Sequence, residues 1–124
     1  MKVLLVEPDR VLAQTARAAL SEAGHSVSVV SSGQRAVDAL DSDGYDLVVL
    51  EPQLGLHNGI ELLYELRSYA EWRELPVVLW TLNKQLSLPV YEKPLRQLGI
   101  SKVLYKPTDS LATLLCHVSM AIPA

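Results

Sequence analysis

Four polar residues each stand directly after an apolar run in this chain. Glu7 follows residues 3–6, Glu51 follows 47–50, Thr81 follows 77–80 and Lys106 follows 103–105. Charge at the end of a buried strand is expensive unless it is paired or put to use. Two carboxylates, a hydroxyl and an ammonium suit a phosphorylation pocket, or what remains of one. The stretch around Glu51, VVLEPQLGLHNG, runs from strand-type residues through the carboxylate and a proline into a loop and Asn-Gly.

The elements that must position these groups are legible in the periodicity. The runs at 3–6, 47–50 and 77–80 are continuous and apolar, as in strands buried on both faces of a parallel sheet, and 27–30 and 102–105 read as strands with one polar residue each, Ser28 and Lys102. Asp9 is placed to cap a helix over 10–23, with Leu12, Ala16, Ala19, Leu20 and Ala23 inward, and Gly24 ends it. Ser31-Ser32-Gly33 leads into a helix carrying Ala36, Val37 and Leu40. Asn58 caps a helix over 59–68 with Ile60, Leu62, Leu63 and Leu66. Thr108 opens a last helix with Leu111, Leu114, Leu115 and Val118 inward. Strand and helix alternate five times, which predicts a doubly wound α/β sheet with helices on both faces. Ligands of such folds sit beyond the carboxyl ends of the strands, where the four polar residues stand. The segment 82–98 breaks the pattern. Its Pro89 and Pro94 argue against one continuous helix and predict a loop followed by a short helix after Pro94.

Composition narrows the function classes. The 124 residues predict a single domain, Met1 to Ala124, with no room for a separate output domain. Hydrophobic residues make up 49% and charged residues 20%, as in a soluble globular protein. The net charge is -3 and no basic stripe is present, which speaks against a nucleic-acid partner. The opening MKVLLVEPD is too short for a membrane span and has no signal-peptide cleavage pattern, so no membrane role is expected. The one cysteine, Cys116, cannot form an intrachain disulfide; it fits a reducing cytoplasm and reads as core packing. His25, His57 and His117 lack metal-ligand spacing and read as surface or satisfied residues.

Five stretches in order are similar to the receiver domain of two-component response regulators: VLLVEPD, Gly33 with Ala36-Val37, DLVVLEPQLGLHNGIELLYELR, LPVVLWT and VLYKP. The resemblance covers essentially the whole chain. It implies a flavodoxin-like, five-stranded sheet of order 2-1-3-4-5. It also implies that Glu51 occupies the place of the phosphoacceptor Asp, that Glu7 matches the first of two acids that hold Mg²⁺, and that Thr81 and Lys106 match the residues that bind the phosphoryl oxygens. Two positions depart from that pattern. Glu51 stands where Asp is needed, and Pro8 stands where the second acid is needed. Asp9 comes one residue late and reads as a helix cap. Val103 replaces a usual aromatic switch residue, and Gly55 replaces a usual loop proline.

Phosphoryl transfer depends on positioning and charge neutralisation. Glutamate moves the nucleophilic oxygen outward by about one bond length, and a misplacement of about 1 Å can cost around 100-fold. Mg²⁺ wants near-octahedral oxygen ligands, and Pro8 supplies none, so Mg²⁺ binding is expected to be weak or absent and no other cofactor is expected. Glu51 is instead placed to reach Lys106, mimicking the phosphorylated charge or locking one state. The reading is an atypical receiver, not an enzyme, that signals by protein contact without conventional Asp phosphorylation. Its expected partner is another protein or a second copy, met through the last helix and the region from Leu86 to Leu98; the apolar residues there, Leu86, Leu88, Val90, Tyr91 and Leu95, read either as a non-standard covering for the sheet or as that contact surface. One alternative is a working phosphoacceptor with altered residues. Another is a flavodoxin-like small-molecule binder, although the turn EPDR is acidic and lacks the glycine that a phosphate-cradling loop needs.

Overall fold

The computed structural model describes residues 1–54 and 57–121, and the backbone alone of 57–59 and 101. The chain opens with β1 (Lys2–Val6), α1 (Arg10–Glu22), β2 (Ser26–Val30), α2 (Gly33–Ser42) and β3 (Leu47–Leu50). A small antiparallel hairpin, β4 (Gln53–Leu54) and β5 (His57–Asn58), leads into α3 (Gly59–Ser68). A 3-10 turn at Ala70–Trp72 precedes β6 (Val77–Thr81), and another at Lys84–Ser87 precedes α4 (Pro89–Gln97). The chain then forms β7 (Ile100–Tyr105) and α5 (Leu111–Ala121). The five long strands make one parallel sheet in the order β2-β1-β3-β6-β7. With the hairpin set aside, this is the expected order 2-1-3-4-5.

Alternate residues of each strand feed opposite layers, because side chains alternate across a sheet. Val3, Leu5, Leu47, Val49, Val78 and Trp80 pack with Ala16 and Leu20 of α1 and Leu114 and Val118 of α5. Leu4, Val6, Val48, Leu50, Val77 and Leu79 pack with Leu40 of α2, Leu63 and Leu66 of α3 and Leu95 of α4. Burial on both faces accounts for runs that are apolar throughout rather than alternating.

The caps set where the helices begin. Asp9 accepts from the Leu12 N–H at 3.0 Å, and Ser32 accepts from the Arg35 N–H at 3.2 Å. Each satisfies an N–H that has no partner within its helix. Gly24 follows α1 at φ 99°, a conformation that disfavours any side chain. The Asn58 cap and the Gly55 loop position lie outside the described side chains and residues.

Several expectations need correction. α4 does not wait for Pro94: it starts at Pro89, and Pro94 lies inside it. An interior proline costs about 3 kcal/mol by removing a hydrogen bond and crowding the preceding turn. Leu95 and Leu98 are buried under the sheet. Each buried leucine contributes about 1.5–3 kcal/mol, enough to hold the turn in place. The 86–98 region is therefore not uniformly a contact surface. Leu86 and Leu95 belong to the core, whereas Leu88, Val90 and Tyr91 are exposed. Thr108 does not open the last helix. The N–H groups of Thr108 and Asp109 turn back to the Tyr105 carbonyl, and Ser110 caps α5 by accepting from Thr113 at 3.2 Å. Cys116 is exposed on α5 rather than packed in the core, with its thiol 3.8 Å from the Met120 sulfur. Ala23 is exposed, and Ala13 takes an inward place on α1 instead.

The split within α4 has a measurable consequence. Leu95→Ala is expected to lower unfolding free energy by about 2–5 kcal/mol through the cavity it leaves. Val90→Ala, on the exposed side, is expected to stay within about 0.5 kcal/mol of the parent. Urea denaturation of both variants checks this, and equal losses would show that the α4 assignment is wrong.

Candidate functional site

The parallel ladder continues one step past the strands, and that step brings the strand-end residues level. The Glu7 N–H bonds the Val30 carbonyl at 3.0 Å, the Glu51 N–H the Val6 carbonyl at 2.9 Å, and the Lys106 N–H the Thr81 carbonyl at 2.9 Å. Glu7, Glu51 and Lys106 thereby leave β1, β3 and β7 at the same edge of the sheet, with Thr81 closing β6 beside them.

Lys106 is the hub. Its Nζ lies 2.9 Å from Glu51 Oε1 and makes a close ion pair with Glu7 Oε1. All three side chains are almost wholly buried, with exposures of 1% for Glu7, 3% for Glu51 and 5% for Lys106. The ammonium also sits 4.9 Å from the centroid of the Trp80 ring, whose face attracts a cation. Glu51 is held by backbone as well. Its Oε1 accepts from the Leu82 N–H at 2.9 Å and its Oε2 from the Gln53 N–H at 3.2 Å. Glu7 Oε2 accepts from the Asp9 N–H at 3.1 Å. The Thr81 hydroxyl, fully buried, accepts from the Asn83 N–H at 2.9 Å and so serves its own turn.

The charge balance is uneven. One ammonium faces two carboxylates in a water-poor place, where an uncompensated charge is costly. Burial pushes the Glu7 carboxyl above its ordinary value; Lys106 and the Asp9 N–H pull back, and Glu51 adds to the rise. Burial therefore makes the Glu7 carboxylate harder to ionise in the folded chain than in the unfolded one, even with Lys106 beside it.

Sequence reasoning picked out Glu7, Glu51, Thr81 and Lys106, and the structure places all four at one edge. It missed Trp80 as a neighbour of Lys106, although Trp80 immediately precedes Thr81. It also missed Arg67, whose guanidinium donates to the carbonyls of Leu98, Trp72, Leu75 and Gly99 and ties α3 to the turn before β7.

A parallel sheet of this order, with acidic and basic groups gathered at its carboxyl edge, defines a receiver-type α/β protein. The sequence pattern described as the response regulator receiver domain matches residues 3–118, and the chain belongs to that family. It is 32% identical over 87 residues to the response regulator MprA of Mycolicibacterium vanbaalenii, a match that covers 70% of this chain and 37% of MprA. It is 29% identical over 122 residues to the two-component response regulator-like APRR1 of Arabidopsis thaliana, covering 95% of this chain and 19% of that protein. The chain thus spans well under half the length of these relatives. Among solved structures, the BeF3-activated N-terminal receiver domain of Klebsiella pneumoniae RstA superposes with a TM-score of 0.83 at 27% identity, covering 100% of both chains. The chemotaxis protein CheY4 of Vibrio cholerae shares the fold with a TM-score of 0.86 at 21% identity, covering 98% of both chains.

The Mg²⁺ expected of the family does not fit the donors present. Glu7 is engaged by Lys106 and the Asp9 N–H, Pro8 offers no side-chain oxygen, and the Asp9 carboxylate caps α1. A cation that demands about six well-placed oxygens finds too few here.

The raised Glu7 value fixes a sign. Folding favours the protonated carboxyl, so Glu7 contributes most to stability below its unfolded value and loses that contribution as pH rises through its folded value. Glu7→Gln is expected to match the parent in acid and to become the more stable protein as pH rises toward neutrality. Lys106→Met leaves both carboxylates unpaired and is expected to cost about 3–5 kcal/mol at neutral pH. Denaturation curves across pH check both variants, and a gap between Glu7→Gln and parent that closes with rising pH would contradict the charge balance.

Proposed function

We propose that the chain is an atypical receiver module that signals through protein contact, in a state held by Lys106 between Glu7 and Glu51, without conventional Asp phosphorylation. The observation that carries this is the state of Glu51. Its carboxylate already takes the Lys106 ammonium and two backbone N–H groups. A phosphoacceptor needs an oxygen free to attack in line, with a metal to neutralise charge. Here the acid is one methylene longer than Asp, and the position after Glu7 is Pro8. In this reading the module is not an enzyme, works in the cytoplasm, and takes no nucleic acid or membrane as partner. No helix among the described residues is long and apolar enough to cross a membrane.

The contact surface in this reading is the outer side of α4 with the last helix. Leu88, Val90 and Tyr91 are exposed near the start of α4, and Met120 is exposed near the end of α5. Apolar groups gathered on a surface suit a protein partner or a second copy. Tyr91→Glu is expected to keep the fold while reducing association measured by light scattering or partner capture. Unchanged mass and partner binding would remove this surface.

The phosphorylation claim is tested by mass spectrometry after treatment with acetyl phosphate and Mg²⁺. The parent is expected to take up no phosphoryl group. Glu51→Asp restores the length of the nucleophile but leaves the metal short of a carboxylate, so little labelling is expected. Pro8→Asp adds the carboxylate but leaves the long nucleophile. Only the pair Pro8→Asp with Glu51→Asp is expected to label measurably, because residues acting on one reaction coordinate are not additive. A phosphorylated parent with the adduct on Glu51 would overturn the proposal.

A further inference from the structure

A second concave site lies on the other side of Glu7, between α1 and the end of β2. It has a volume of about 360 Å³. That is within the usual range for a small-molecule cleft. Arg10, Gln14 and Arg17 line it from one side and Ser31 from the other, with Ala13 and Val29 as apolar wall. Arg10, Gln14 and Arg17 are spaced i, i+4 and i+7, which puts them in one row on α1, with the two arginines two turns apart, about 10 Å. Side chains as long as arginine close much of that gap.

The charges of this groove are what set it apart. Among the described residues neither Arg10 nor Arg17 makes an ion pair. The carboxylate in the lining, Glu7, spends its charge on Lys106. Three other grooves carry acid beside base or acid alone. The one at Tyr45 and Trp72 is lined by Asp41, Asp43 and Glu71, the one beside α4 holds Lys102 with the Arg96–Glu92 pair, and the one on α2 holds a single arginine, Arg35, with Asp38. Two unspent guanidinium groups, an amide and a hydroxyl over an apolar wall, in a chain of net charge -3, form a local exception that favours anions.

We infer that the groove between α1 and β2 binds a small organic anion, a phosphate or carboxylate head on an apolar body, with Arg10 and Arg17 on the head and Ala13 and Val29 against the body. Because Glu7 borders this groove and also pairs with Lys106, an occupant lies beside one member of the ion group at the sheet edge. This goes beyond the proposed function and holds whether or not Glu51 accepts phosphate.

The test is an NMR titration of the intact chain, following backbone amides at constant ionic strength. The probes are benzylphosphonate, phenylacetate and benzyl alcohol. A phosphonate carries no transferable phosphoryl group, so this experiment and the labelling experiment fail separately. Saturable shifts confined to residues 9–17 and 29–32 are expected with one or both anions, and none with the alcohol. Which anion binds identifies the head group. The Arg10→Ala, Arg17→Ala double variant is expected to weaken binding about tenfold or more. Arg35→Ala, on α2 outside the groove, is expected to leave it unchanged. No saturable shift with either anion, equal response to the alcohol, or undiminished binding in a folded double variant would each overturn the inference.

Discussion

The Lys106 ammonium buried between two carboxylates is the constraint on which the carboxyl edge of this protein depends. It joins the ends of β1, β3 and β7, three strands that come from distant parts of the chain. Removing water from three charged groups is costly, and mutual attraction repays it only when geometry and further hydrogen bonds are good. Here the further bonds come from backbone: Asp9 N–H to Glu7, and Gln53 and Leu82 N–H to Glu51. Each of those N–H groups lies within three residues of the end of a strand of the parallel sheet. The ion group therefore organises the loops as well as the strand ends.

The sheet makes this possible. Val6 pairs with both Val30 and Leu50, and Thr81 pairs with Tyr105, so the next residues fall at one level. A slip of one residue in β3 would turn the Glu51 side chain to the opposite face, and the apolar residues of the strand with it. Burial on both faces lets either face accept Val or Leu, so hydrophobicity alone specifies register weakly. The polar residues at the strand ends sharpen it, because only one register gives Lys106 both of its partners.

How much of this was legible in the sequence depends on how local each signal is. Leu47–Leu50 and Gly59–Ser68 were readable to the residue, since an unbroken apolar run and an amphipathic helical spacing are local signals. The strand-end position of Glu7, Glu51, Thr81 and Lys106 was readable for the same reason. The α4 segment was misread because the cost of Pro94 is local while the burial of Leu95 that offsets it is tertiary. Cys116 was misread because cysteine is usually buried, and its helix has inward positions on either side of it, at Leu115 and at Val118. Arg67 left no signal at all. Its four carbonyl partners lie in the turns before β6 and β7, and no spacing in the sequence announces them.

The departures from the family pattern are also not independent of one another. With an acid at position 8, the edge would hold three carboxylates against one lysine, and a divalent cation would be the natural counter-charge. With Pro8, Lys106 is the nearest cation for both remaining carboxylates, and it is drawn to both. The extra methylene of Glu51 then matters, because it carries the carboxylate to the Leu82 N–H and to Lys106 at once. In the proposed reading, a proline in one loop and a longer acid in another act together, because each favours a site closed by a lysine over one built around a metal. The contacts that close it engage both Glu51 oxygens, Oε1 with Lys106 and the Leu82 N–H and Oε2 with the Gln53 N–H, and so tie the loops above the sheet into one arrangement.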